Sequence, residues 1–261
     1  MNRLIRAELL KISTTRLWWG LLIGVAAGAA LTTGIDAGFA GRGQTGMPGV
    51  NDPAMVRTIY TAGIGIAYLI TLSLGIIAMA GEYRQQTMTA TMLASPRRER
   101  VVLAKLAALT VAGAGYGLVA VLIGLVVGAP IIVLRGGSAR LVTDGVPRAL
   151  ALAVLAVALW GILGLGIGTL IRNQVVALFV AIIAAEIAVP LLSVALNAAH
   201  WGAVAKYLPS SATSALVSPP TNSGGLPTEL LPWWGAALVL LGYAAVSGAL
   251  GAAITLRRDI T

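Results

Sequence analysis

The sequence predicts an all-α integral membrane protein: a single domain over residues 1–261 with six transmembrane helices. An amphipathic helix precedes the first span and a polar helical segment joins the second to the third. Three observations carry this. The chain is 58% hydrophobic and 10% charged, with a mean hydropathy of +0.90, whereas a soluble domain has about 25% charged residues. Six apolar runs are long enough for a bilayer core about 30 Å thick, which takes about 20 helical residues. Lys and Arg gather in alternate connections between these runs.

Residues 1–16 place Leu4, Ile5, Leu9 and Ile12 at helical spacing, with Arg3, Arg6 and Lys11 largely elsewhere. Such a helix lies in the membrane interface with its basic side toward anionic headgroups; a basic N-terminus that only sets topology is the other reading. Trp18 and Trp19 follow at the aromatic-belt level. The spans are predicted at about 17–35, 60–80, 106–134, 149–171, 175–196 and 233–256, the third broken late by Gly128 and Pro130. Only Arg172, Asn173 and Gln174 separate the fourth from the fifth, so these form a tight hairpin.

Charge sets the predicted orientation. With both termini inside, the inner segments hold 12 of the 18 Lys and Arg residues and the outer segments hold 6. A bias of that size over short loops favours cytoplasmic termini in the plasma (inner) membrane. The net charge of +9 therefore reads as membrane orientation rather than nucleic-acid binding, and the lipid bilayer is the first partner. The first apolar run is too long for a signal-peptide core. The absence of cysteine removes disulfides, thiol nucleophiles and cysteine metal sites.

The outer segment 198–231 is too short and too broken by Pro209, Pro219, Pro220, Gly224 and Gly225 to span. It reads either as short re-entrant helices backed by protein or as an ordinary loop. Segment 81–105 carries Arg84, Arg97, Arg98, Arg100 and Lys105 against Glu82 and Glu99. Ser95 suits an N-cap and Pro96 a first helical position, so one helix ends and another begins there. The earlier helix, residues 84–94, exposes Met88, Met92 and Leu93, and methionines adapt to a partner groove.

Glu186 is the one acidic residue at the depth of a predicted span core. An ionisable group there is costly, about 2.5–3.5 kcal/mol on insertion scales, unless it faces a cavity or a partner. Pro190 leaves the carbonyl of residue 186 without its helical donor and weakens the helix there. Glu186 either lines a central path or is a protonated group hydrogen-bonded to a neighbouring span. Trp160, mid-span and away from the aromatic belts, lines the same path or packs in the core. The Gly20, Gly24, Gly28 ladder and the Gly164/Gly168 pair are close-packing signals, within or between subunits.

Segment 81–105 resembles the cytoplasmic loop of ABC type-2 exporter permeases, through Glu82, Thr87, Leu93, Ser95, Pro96, Arg98 and Lys105. The N-terminal amphipathic helix is similar to that family's elbow helix. Tyr207-Leu208-Pro209 resembles its outer YLP segment, and residues 256–260 its C-terminal tail. The resemblance covers nearly the whole chain in order. It implies a permease subunit beside a second, identical or related one, each above an ABC ATPase subunit that binds ATP and Mg. It also implies that the Met88 helix is the coupling helix, with Glu82, Arg84, Thr87, Met88, Met92, Leu93 and Arg98 at the ATPase contact; the alternative is a helix lying on lipid. Family substrates are hydrophobic or amphipathic: drugs, peptide antibiotics, lipids, glycans.

The chain has no G-x-x-x-x-G-K-S/T loop, so it is not expected to cradle ATP phosphates or act as an enzyme itself. No catalytic residue, metal site or bound cofactor is predicted; the single histidine, His200, is placed at the outer surface. An ion- or proton-coupled secondary transporter with Glu186 as carrier is the alternative, though such transporters usually show internal repeats. A structural or sensory membrane protein is a third.

Overall fold

The computed structural model describes residues 2–42, 48–84, 98–171, 173–217 and 230–257. Among these, every regular element is helical: α1 (Asn2–Thr14), α2 (Leu17–Phe39), α3 (Pro53–Thr61), α4 (Ile64–Arg84), α5 (Arg98–Leu134), α6 (Val146–Leu170), α7 (Gln174–Ile183), a π-helical turn (Ala184–Ala188), α8 (Val189–Ala198), α9 (Gly202–Ala205), α10 (Pro209–Val217) and α11 (Trp233–Arg257). Among the described residues, six stretches are long and apolar enough to cross a membrane. Helix is the form such runs must take, because lipid offers backbone N–H and C=O groups no partner.

The central helix is α6, packed against α4, α5 and α11. Its most apolar window is 61% buried, whereas that of the α7–α8 span is 17% buried. Small residues explain the difference. A Cβ on Gly164 would collide with the Leu72 carbonyl, and one on Gly75 with the Gly161 carbonyl. The backbones of α4 and α6 thus meet directly, and Thr71 Oγ1 donates to the Val157 carbonyl at 3.0 Å across the contact. This is small-residue packing, and for Gly164 and Gly168 it lies within the chain. In the first ladder Gly24 and Gly28 face Ile70 and Ile66 of α4, while Gly20 is open.

Several boundaries differ from the sequence expectation. The second span begins at Pro53, capped by Asp52, whose side chain accepts from the Ala54 N–H. It steps at Ala62–Gly63 between α3 and α4. The expected late break in the third span is absent: α5 runs through Gly128 and Pro130 to Leu134. Gly128 is tucked against Ile59, Thr33 and Tyr60, where a side chain would clash. That contact holds the helix across the missing proline N–H. Over 37 residues, α5 is about 55 Å long and exceeds the bilayer core.

Candidate functional site

At mid-depth, four side chains from four elements connect. Tyr68 of α4 donates its hydroxyl to Glu186 Oε1 of the π-turn at 2.5 Å. Its ring stacks on Trp160 of α6, with centroids 4.6 Å apart and planes tilted by 25°. The indole Nε1–H of Trp160 donates to Thr213 Oγ1 of α10 at 3.0 Å. Thr213 donates in turn to the Pro209 carbonyl. The sequence singles out Glu186 and Trp160, and the structure joins them through Tyr68.

The π-turn has a local cause. Pro190 has no N–H for the Glu186 carbonyl, and its ring crowds the preceding turn. The backbone widens, and the Val189 N–H reaches back five residues to the Ala184 carbonyl. Such turns recur at functional sites. Ala177 and Ala181 before it and Ala185 within it are buried against α4 and α6, whereas Glu186 and Ile187 are exposed on the outside of the bundle. A carboxyl group therefore sits on the exterior of a membrane-spanning helix, steadied by one phenol. Trp160 is buried, so it backs Tyr68 rather than presenting a surface of its own.

A second polar cluster lies at the end of the bundle that carries both termini. Lys105 of α5 donates to Glu8 Oε2 at 2.8 Å, to Glu82 Oε1 at 2.9 Å and to the Ala78 carbonyl at 3.3 Å. Lys11 of α1 donates to Glu8 Oε1 at 2.7 Å and Glu82 Oε1 at 3.0 Å. The Lys105 side chain is 6% exposed and those of both glutamates 10%. Burial alone would raise the Glu8 carboxyl, but Lys105 and Lys11 outweigh it and hold it below its ordinary 4.5. Burial would lower Lys11, but Glu8 and Glu82 outweigh it and hold the ammonium above its ordinary 10.5. The cluster ties α1 to the ends of α4 and α5, the two helices that bracket segment 85–97.

Thus Glu82, expected at the ATPase contact, sits in this buried cluster. Its Oε2 is buried and has no hydrogen-bond partner. Glu8 escapes the sequence reading, although a signal exists: it lies four residues from Leu4 and from Ile12, an acid on the apolar face of α1. Tyr68 and Thr213 are also missed, because a tyrosine or threonine in an apolar run has many ordinary packing roles. Arg84 and Arg98 occupy the ends of α4 and α5. Thr87, Met88, Met92, Leu93, Ser95 and Pro96, with all of the helix expected at 84–94 beyond Arg84, lie outside the described residues. His200 is exposed, with φ of 62° in the turn between α8 and α9.

The family model described as ABC-2 family transporter protein matches residues 4–187. A comparison with curated proteins gives no match. The matched region contains the Glu8–Lys105 cluster, Tyr68, Trp160 and Glu186 but not Thr213, and it covers four of the membrane-crossing stretches and the first part of the fifth. The family's permeases are membrane components distinct from nucleotide-binding domains, and membership implies association with an ABC ATPase. With six apolar membrane-crossing stretches among the described residues, α6 central among them, this chain is a multi-pass membrane protein that belongs to the ABC-2 transporter family.

Proposed function

We propose that this chain is one of two permease subunits of an ATP-driven exporter. It would move a hydrophobic or amphipathic substrate out of the cytoplasm or inner leaflet of the plasma membrane. Both termini and segment 81–105 face the cytoplasm in this reading, where the segment couples to an ATPase subunit carrying ATP and Mg. The observation that supports it best is the exposed Glu186. Ionisable groups at membrane depth face a bundle interior, a water-filled cavity or a partner rather than lipid. In an isolated chain Glu186 faces none of these, so a second permease and a shared central path would cover the surface of the π-turn and Tyr68.

Mechanically, ATP binding would draw the two ATPase subunits together and push segment 85–97. The Glu8–Lys11–Glu82–Lys105 cluster ties α1, α4 and α5 into one unit, so the push is passed along α4 to Tyr68 and its bond with Glu186. The wider π-turn is the compliant point at which the α7–α8 span can adjust against α4. Aromatic and aliphatic walls around one carboxyl group suit amphipathic molecules better than ions.

The test is reconstitution. The chain alone should hydrolyse no ATP. With its ATPase subunit in lipid, substrate-dependent hydrolysis and export should appear together. Transport driven by a proton gradient with no ATPase present would overturn the reading in favour of a Glu186 proton carrier.

A further inference from the structure

A cleft of about 450 Å³ opens at the end of the bundle opposite the termini, between α3, the start of α6, α10 and the start of α11. Its walls are mostly apolar, including Ala215, Leu216, Leu231 and Trp233, and among the described residues no acidic side chain lines it. Two arginines do, Arg57 of α3 and Arg148 of α6. Both converge on one place: Arg148 Nη2 and Arg57 Nη1 lie 3.5 and 3.8 Å from the position a Cβ on Gly145 would occupy.

Neither guanidinium makes a salt bridge among the described residues, although the Asp144 carboxylate lies near enough to Arg57 to feel its charge. Arg57 Nη1 donates to the Asp144 backbone carbonyl, while its Nε is buried with no hydrogen-bond partner. Arg148 lies over the Trp233 ring, 5.4 Å from its centroid. The nearby Asp144 carboxylate is held by Arg140 at 2.6 Å and by Thr143. Gly145 supplies no side-chain cap to α6, so the positive end of that helix dipole adds to the field.

Depth decides what such a cleft suits. Arg57 and Arg148 lie in the first two turns of their spans, about 6 and 3 Å from the span ends. That is the phosphate level of a bilayer, where Arg and Trp settle. Apolar walls beside a pair of bidentate phosphate donors match a molecule with an anionic head and a hydrocarbon chain. We propose that this cleft binds an anionic membrane lipid. Its phosphate sits between Arg57 and Arg148, and its acyl chain lies along Ala215, Leu216 and Leu231. The site is separate from the Tyr68–Glu186 pair and does not depend on the transport reading.

Native mass spectrometry of the full chain in detergent tests this, with phosphatidylglycerol, chain-matched phosphatidylcholine and inorganic phosphate as probes. Phosphatidylglycerol should bind in preference to phosphatidylcholine. The double change Arg57→Gln plus Arg148→Gln should weaken phosphatidylglycerol about tenfold or more, the scale of losing one charge-assisted hydrogen bond. Phosphatidylcholine, whose choline cation offsets its phosphate, should lose much less, and Lys206→Gln at the same end of the bundle should change neither. Ala215→Phe narrows the cleft with both arginines intact; it should weaken the lipid and spare phosphate. If the double variant does not fold, Ala215→Phe and Arg148→Gln carry the same comparison. Equal binding of the two lipids, or undiminished phosphatidylglycerol binding in the variants, overturns the proposal. Competition by inorganic phosphate as strong as by the lipid also overturns it and marks a free-anion site.

Discussion

Tyr68 and Glu186 form the contact on which the transport reading turns, and substitution can separate its charge from its geometry. Tyr68→Phe removes one hydrogen bond and keeps the stack on Trp160, so stability should fall by about 1 kcal/mol, read as a lowered melting temperature in detergent. Glu186→Gln keeps an oxygen that can accept from Tyr68 and deletes the charge. If the carboxylate serves the path, Glu186→Gln should melt like the parent and lose most substrate-stimulated ATPase activity; full activity would reduce Glu186 to a packing residue. Lys105 is the corresponding test at the other end. Lys105→Met leaves two buried glutamates with Lys11 alone, and removing one partner of a buried pair costs about 3–5 kcal/mol. A Glu82→Gln change added to it should recover part of that loss. The pH dependence follows from Glu8 and Lys11. A lowered Glu8 pKa gives stability that is present above 4.5 and lost as pH falls through the folded value. A raised Lys11 pKa gives stability that is present below 10.5 and lost as pH rises through the folded value. Proteolysis within α1 should therefore be slow between these limits and accelerate as the pH falls through the folded value of Glu8 or rises through that of Lys11.

At the scale of elements, the spans are legible because burial in lipid writes a long apolar run, and Trp233 marks an end; the start of the second span at Asp52–Pro53 is not read, because α3 is less apolar than the run that follows. What is not legible is which helix stands at the centre. The α6 and α7–α8 runs look alike by hydropathy, 2.5 and 2.7, yet one is the hub and the other the rim. Glycine position decides it, through the direct backbone contact of Gly75 with Gly161 and Gly164, and that depends on a partner helix far away in sequence. Pro130 misleads for the same reason: its local preference to break α5 is overridden by the packing of Gly128 on α3. Pro190 does not mislead, because its defect falls where no close-packed partner corrects it. The two short helices α9 and α10 are only half visible, since their helical pattern is brief; the buried Trp160–Thr213 bond that fixes α10 joins residues 53 apart. The element that sequence alone assigns to the ATPase contact is the helix at 84–94. The double change Met88→Asp plus Met92→Asp puts carboxylates on its proposed docking face, and desolvating them unpaired costs several kcal/mol. Membrane insertion should persist while ATPase copurification and transport fall together. Unchanged copurification would move the contact elsewhere.

At the scale of the whole molecule, orientation and assembly rest on one physical point: where charge is tolerated. Lys and Arg crowd the end of the bundle that bears the termini, and the deepest carboxyl group, Glu186, lies on the outer surface of a single chain. The first observation predicts cytoplasmic termini. The chain has no cysteine, so single cysteines report cleanly. In intact cells Ala90→Cys should resist a membrane-impermeant maleimide and Val142→Cys, on the highly exposed 135–145 connection, should react. The reverse pattern would invert the topology and remove segment 81–105 from reach of any ATPase. The second observation predicts a neighbour. The α7–α8 span exposes Phe179, Ile183, Ile187 and Leu191 on either side of Glu186. Lipid would cover those four residues well and Glu186 badly, whereas a second permease with a path between the two would accommodate all five. Ile187→Cys stands next to Glu186 on that face. Oxidation in native membranes should therefore give a disulfide-linked pair of permeases for Ile187→Cys. Leu118→Cys, exposed on the remote helix α5, should stay single. Where the two permeases are related rather than identical, the cross-link needs the matching cysteine in the second chain. A failure to cross-link in both arrangements would leave Glu186 facing lipid, and the central-path reading would lose the observation that supports it.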